Sequence, residues 1–163
     1  MVLLDTNILV YAADINSPLF ATAKKIRDEA MNGKLDACIS LQNLAEFYSV
    51  VTNPSQVEQP IAPTAAKEEV EKYLVCSTIR KLEISLSTLN SAIQLAEKYK
   101  VTKQYFYDTQ LVATMLEHNV TKILTLNIRD FVTFREIQSE NPFKPPTSPL
   151  HFPSEPDSSA YIS

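Results

Sequence analysis

Val2-Leu3-Leu4-Asp5-Thr6-Asn7-Ile8-Leu9 reads as a short apolar strand, a polar turn and the start of an apolar helix, with one carboxylate at the strand's carboxyl end. Ligands of open α/β sheets bind beside the carboxyl ends of the strands, so Asp5 stands where chemistry is done. The arrangement returns at Lys122-Ile123-Leu124-Thr125-Leu126-Asn127, where a second apolar run delivers an amide to the same end. Glu46 and Asp108 lie between these runs, in segments of helical periodicity that adjoin expected strands. If those strands are parallel neighbours, one pocket receives all four groups.

Further strands are expected at residues 35–40, 79–84 and 134–137, beside those at 2–4 and 122–126. Helices are expected between them. Ser17 as N-cap and Pro18 at the first helical position open one that reaches Met31, and Gly33 caps its end. A helix at 41–52 presents Leu41, Leu44, Ala45, Tyr48 and Val51 as its core stripe. Thr64 caps a third that reaches Val75, and two more cover 87–99 and 106–117. Strands alternating with helices imply crossover connections and a parallel sheet covered on both faces. The expected fold is therefore α/β, a three-layer α/β/α sandwich around a central, mainly parallel sheet of about five strands.

A chain of 163 residues with 45% apolar composition suffices for one domain with a substantial core. The expected domain is 1–143. Residues 144–163, rich in Pro and Ser, are expected to form a flexible tail. No apolar stretch is long enough to cross a bilayer and no basic leader precedes Asp5, so a cytoplasmic location and no membrane partner are expected. A single glycine, Gly33, excludes the glycine-rich phosphate loops of nucleotide-binding enzymes. Cys38 and Cys76 lack metal-type spacing and read as structural thiols. His118 is turned to another face of the helix that carries Asp108, and His151 sits in the tail, which argues against histidine chemistry. The net charge is -4, but without residues 139–163 the body holds 14 basic against 16 acidic side chains. Local clusters at Lys98, Lys100 and Lys103, or at Arg129 and Arg135, read either as solvated faces or as holders of phosphate.

Each candidate also has an ordinary structural reading. Asp5 and Asp108 serve equally as helix caps. Glu46 falls on a polar stripe with Gln42, Ser49 and Asn53. Asn127 and Asp130 flank a turn, where such residues are common for backbone reasons. Grouped together, however, carboxylates repel unless a cation lies between them, and hard oxygen donors suit Mg2+ or Mn2+. Such an ion polarises a phosphoryl oxygen and activates water near neutral pH, which makes phosphodiester hydrolysis the leading chemistry.

In their order and setting these segments resemble the PIN domain, especially the VapC-type toxin ribonucleases. The resemblance rests on residues 2–9, on Leu41-Gln42-Asn43-Leu44-Ala45-Glu46-Phe47-Tyr48, on the pair Ala92-Ile93-Gln94-Leu95-Ala96-Glu97-Lys98-Tyr99 and Tyr107-Asp108-Thr109-Gln110-Leu111-Val112-Ala113-Thr114, and on Ile123-Leu124-Thr125-Leu126-Asn127-Ile128-Arg129-Asp130-Phe131. It covers residues 1–143 and implies a metal-dependent endoribonuclease acting on RNA, dimeric and held inactive by an antitoxin protein. It makes Asp5, Glu46 and Asp108 the carboxylate ligands, directly or through water, with Asn127 or Asp130 completing the shell and Thr6 orienting Asp5 or a water. Many relatives carry an aspartate where Asn127 stands, and Tyr105, Phe106 and Tyr107 replace smaller or polar residues, where they either pack or stack on bases. The rival expectations are a catalytically weak PIN-like module that binds RNA or protein, and a phosphatase using Asp5 as nucleophile. The latter chemistry normally has a second aspartate where Asn7 stands.

Overall fold

The structure, a computed structural model, describes residues 1–143. Five strands, β1 (Val2–Leu4), β2 (Ala37–Ser40), β3 (Ile79–Leu82), β4 (Lys122–Leu124) and β5 (Gln138–Glu140), form one sheet in the order β3-β2-β1-β4-β5. Every pairing is parallel. The helices are α1 (Thr6–Ala13), α2 (Phe20–Met31), α3 (Leu41–Val51), α4 (Pro63–Val75), α5 (Leu86–Tyr99), α6 (Phe106–Glu117) and the single turn α7 (Ile128–Phe131). The chain builds outward from β1 through β2 to β3, then returns to the other side of β1 for β4 and β5. This reversal puts the switch point between β1 and β4, where such sheets leave a crevice at the carboxyl ends.

Helices on both faces explain why the central strands β1 and β2 are buried at every position. Val2, Leu4, Ala37, Ile39, Ile79 and Leu124 join the core beneath α1 to α4. Leu3, Cys38, Leu82 and Ile123 join the core beneath α6 and the α7 region. Phe47 and Tyr73 pack edge-on, centroids 6.2 Å apart at 75°, and tie α3 to α4. Burying each such ring contributes about 1.5–3 kcal/mol. Gly33, at φ 69, follows α2 in the left-handed conformation expected of a helix C-cap.

Several boundaries differ from expectation. α2 begins at Phe20, because Ser17 Oγ accepts from Leu19 N and closes a turn ahead of the helix instead of capping it. α4 begins at Pro63, whose missing N–H suits the first helical position, so Thr64 lies inside and caps nothing. The last strand is not 134–137. Phe134 and Ile137 are buried from a turn, and pairing starts with Gln138 N donating to Thr121 O. The polar residues of β5 thus form the sheet edge, a common guard against edge pairing. In α3 the buried stripe is Asn43, Leu44, Phe47 and Val51, while Leu41, Ala45 and Tyr48 are exposed. α3 follows β2 with no intervening residue, so the capping box of Ser40 and Asn43 sets its phase. The expected tail at 144–163 lies outside the described residues. Among the described residues no helix is long and apolar enough to cross a membrane.

Candidate active site

Asp5 follows β1 and caps α1, so its cap reading holds, and it lies at the same time at the carboxyl end of the strand. It is 7% exposed, and its two oxygens accept four hydrogen bonds. Oδ1 receives Thr6 N at 2.8 Å and Asn43 Nδ2 at 3.4 Å. Oδ2 receives Thr125 Oγ1 at 2.6 Å and Asn7 Nδ2 at 2.7 Å. Burial nonetheless outweighs these donors and, with Glu46 nearby, raises its pKa to about 6. Since the lone pairs are filled, direct contact with a ligand requires one donor to yield, and the 3.4 Å contact from Asn43 is the weakest.

Glu46 is exposed on α3, yet the helix phase turns it toward α1, where its Oε2 accepts from Thr6 Oγ1 at 2.7 Å. The same hydroxyl accepts from Asn43 Nδ2 at 3.1 Å, and Asn43 Oδ1 accepts from Ser40 N. Thr6 therefore positions Glu46 with its side chain and Asp5 only with its backbone N–H. Asp108, in the first turn of α6, has no capping bond, which removes its cap reading. Its pKa is raised to about 7, first by burial and then by Asp130, Asp5 and Glu46. Asn127 follows β4 and its backbone N–H donates to Thr125 Oγ1. Asn127 and Asp130 both line the same opening.

All five candidate groups line one cleft of about 430 Å³ at the switch point. Asp14 and Glu58 also line it, so six carboxyl groups surround it, and among the described residues no Lys, Arg or His side chain lines it to compensate them. Among the described residues, no three His, Cys, Asp or Glu side chains gather tightly enough to hold an ion unaided. The donors converge on a common space without forming a cage. His118 lies elsewhere, against Arg80 and the Glu83 carbonyl, and Cys38 is buried in the sheet. Three residues that sequence reasoning passed over, Asn7, Asn43 and Thr125, hold the network together. Only their position in the runs around Asp5, Glu46 and Asn127 could have signalled them.

The family profile described as PIN domain matches residues 2–137. Ribonuclease VapC24 of Mycobacterium tuberculosis is 29% identical over 139 residues, covering 82% of this chain and 91% of the relative. Ribonuclease VapC48 of the same organism is 26% identical, covering 85% and 95%. A toxin-antitoxin complex from Klebsiella pneumoniae has the same fold, with TM-score 0.57 and 20% identity over 88% of this chain and 99% of that one.

Proposed function

The chain belongs to the PIN domain family, and from that premise we propose that it is a metal-dependent endoribonuclease that hydrolyses phosphodiester bonds in RNA, the toxin of a toxin-antitoxin pair. One observation carries the reading: Asp5, Glu46, Asp108, Asn127 and Asp130 line one cleft whose carboxylates, among the described residues, face no cationic side chain. The likeness to ribonucleases named VapC supports the same substrate class.

The donor set fits a hard divalent ion. Its oxygens are carboxylate and amide, and the spread arrangement suits an ion such as Mg2+, which keeps several of its own waters and takes only one or two carboxylates directly. Asp5, Glu46 and Asp108 would hold it, with Asn127 or Asp130 completing the shell. When bound, Mg2+ or Mn2+ polarises a phosphoryl oxygen and lowers the pKa of water in the cleft. Thr125, Asn7 and Asn43 keep the Asp5 carboxylate oriented, and Thr6 does so for Glu46. Burial and the neighbouring carboxylates raise Asp108 to about 7, so it is only partly ionised at neutral pH, and binding a cation there would favour its ionised form.

The chain should cleave RNA only with added Mg2+ or Mn2+, leave 5′-phosphate ends, and lose cleavage on Asp5→Ala or Asp108→Ala. Cleavage in chelator, or cyclic phosphate products, would contradict the reading. A catalytically weak binding module is the second reading, favoured by the loose gathering of the acids and by the neutral Asn127. An antitoxin protein and a second copy of the chain are the proposed partners. Two apolar faces support them, Leu41, Ala45 and Tyr48 on α3 and Leu86, Leu89 and Ile93 on α5, all exposed at helical spacing.

A further inference from the structure

A second groove, of about 300 Å³, adjoins the acidic cleft and shares Asp130 with it. Its character is opposite. Lys100 and Arg129 line it together with the half-exposed ring of Tyr105. Among the described residues neither cation has an ion-pair partner, whereas Lys98 nearby is committed to Glu136 at 2.5 Å and lies 5.0 Å from the Tyr99 ring centroid. Tyr99 is in turn fixed by its hydroxyl, which donates to Glu136 and accepts from Arg135 N. The groove therefore has one rigid wall, two free cations and one free aromatic face.

Its backbone is unusual as well. Lys100 has φ 55 and Lys103 φ 59, the left-handed region where glycine or asparagine is at ease. At Lys100 a charged side chain stands at the end of α5 where a glycine would close the helix with less strain.

Resting on the ribonuclease reading, we infer that this groove binds the single-stranded RNA segment next to the bond being cut, with Lys100 and Arg129 on a neighbouring phosphate and Tyr105 stacked on its base. A strand entering the acidic cleft meets only repulsion there until a cation is present. Cations on the flank can hold it, and among the described residues Lys100 and Arg129 line the groove that opens beside Asp130. Arg is suited to bidentate phosphate contact and an exposed tyrosine ring to sequence-tolerant stacking.

The test is fluorescence anisotropy of a labelled oligouridylate of about ten nucleotides, with the full chain in chelator so that no cleavage intervenes. Lys100→Gly with Arg129→Gln should weaken binding roughly tenfold or more and reduce the log-log salt slope by about 0.7, the value for one lost phosphate contact on a single strand. Tyr105→Ala should weaken it further and Tyr105→Phe should restore it. Lys67→Ala with Lys72→Ala, an equal charge loss on α4, should leave binding unchanged. Thermal melts establish that each variant folds. No binding by the parent chain, equal loss in the α4 control, or equally tight capture of an oligoglutamate peptide that the groove variants also lose would overturn the inference. The two readings fail separately. Binding with these shifts but no cleavage under any metal defeats only the ribonuclease reading, and cleavage with a groove variant that binds normally defeats only the groove.

Discussion

Thr125→Val removes one hydroxyl from a space of unchanged size, and three partners lose it at once: the Asp5 carboxylate, Asn127 N and Asn7 Nδ2. Outer groups of this kind typically change metal affinity or activity by about 10–100-fold, and a loss in that range is expected in a Mn2+ titration. Loss of the donor should also push the Asp5 pKa further above its present value of about 6. For stability the sign follows from the raised values. The folded chain holds protons on Asp5 and Asp108 more tightly than the unfolded chain, so their contribution is present at low pH. It fades as pH rises through about 6 and about 7. In chelator, Asp108→Asn should therefore raise the melting temperature at about pH 8 and leave it nearly unchanged at about pH 4. A drop at the higher pH would contradict this. Asp5, Asp108 and Asn127 were legible in the sequence because a polar group set against an apolar run is conspicuous. Thr125 and Asn43 were not, since a threonine within a strand-like run and an asparagine within a helix look like ordinary members of their elements.

At the scale of elements, the phase of α3 decides whether Glu46 reaches the site. The sequence put Leu41, Leu44, Ala45, Tyr48 and Val51 in the core stripe, and the direct β2-to-α3 junction with its Ser40 and Asn43 box instead turns Phe47 inward with Leu44 and Val51. Phe47→Ala should destabilise the fold by about 3–5 kcal/mol, read in denaturant unfolding. Gln42, one turn before Glu46, donates to the Tyr107 carbonyl at 2.9 Å and accepts from Gln110 at 2.8 Å, bracing α3 against the start of α6 beside Asp108. Gln42→Ala should cost only about 0.5–1.5 kcal/mol of stability yet lower kcat, since it loosens the spacing of two carboxylates. Unchanged kcat would show that the brace is not needed. The strand boundaries were legible only to within a few residues for a related reason. Phe134 and Ile137 are apolar because they are buried, and burial alone does not distinguish a turn from a strand.

Across the whole molecule, the setting of the acids beside strands pointed to one shared pocket, because Asp5 lies just past β1, Glu46 on the helix that follows β2 and Asp108 on the helix that precedes β4. The outward apolar face of α3 was not legible as such, since Leu41, Ala45 and Tyr48 read as core, and the sequence assigned no face to the apolar residues of α5. If they are covered by a second copy, Leu89→Glu with Ile93→Glu should convert a dimer into a monomer by light scattering, whereas an unchanged mass would reject that role. Residues 1–143 alone should fold and cleave as the full chain does if they form the whole nuclease domain. The claim beneath all of this is that the cleft between β1 and β4 takes up a divalent cation. Calorimetric titration of the full chain with Mn2+ at about pH 7.5 should give saturable binding that releases protons, weakens steeply toward about pH 5.5 as Asp5 and Asp108 retain theirs, and vanishes in Asp5→Asn. Absence of binding, or binding indifferent to both pH and Asp5, would contradict the account.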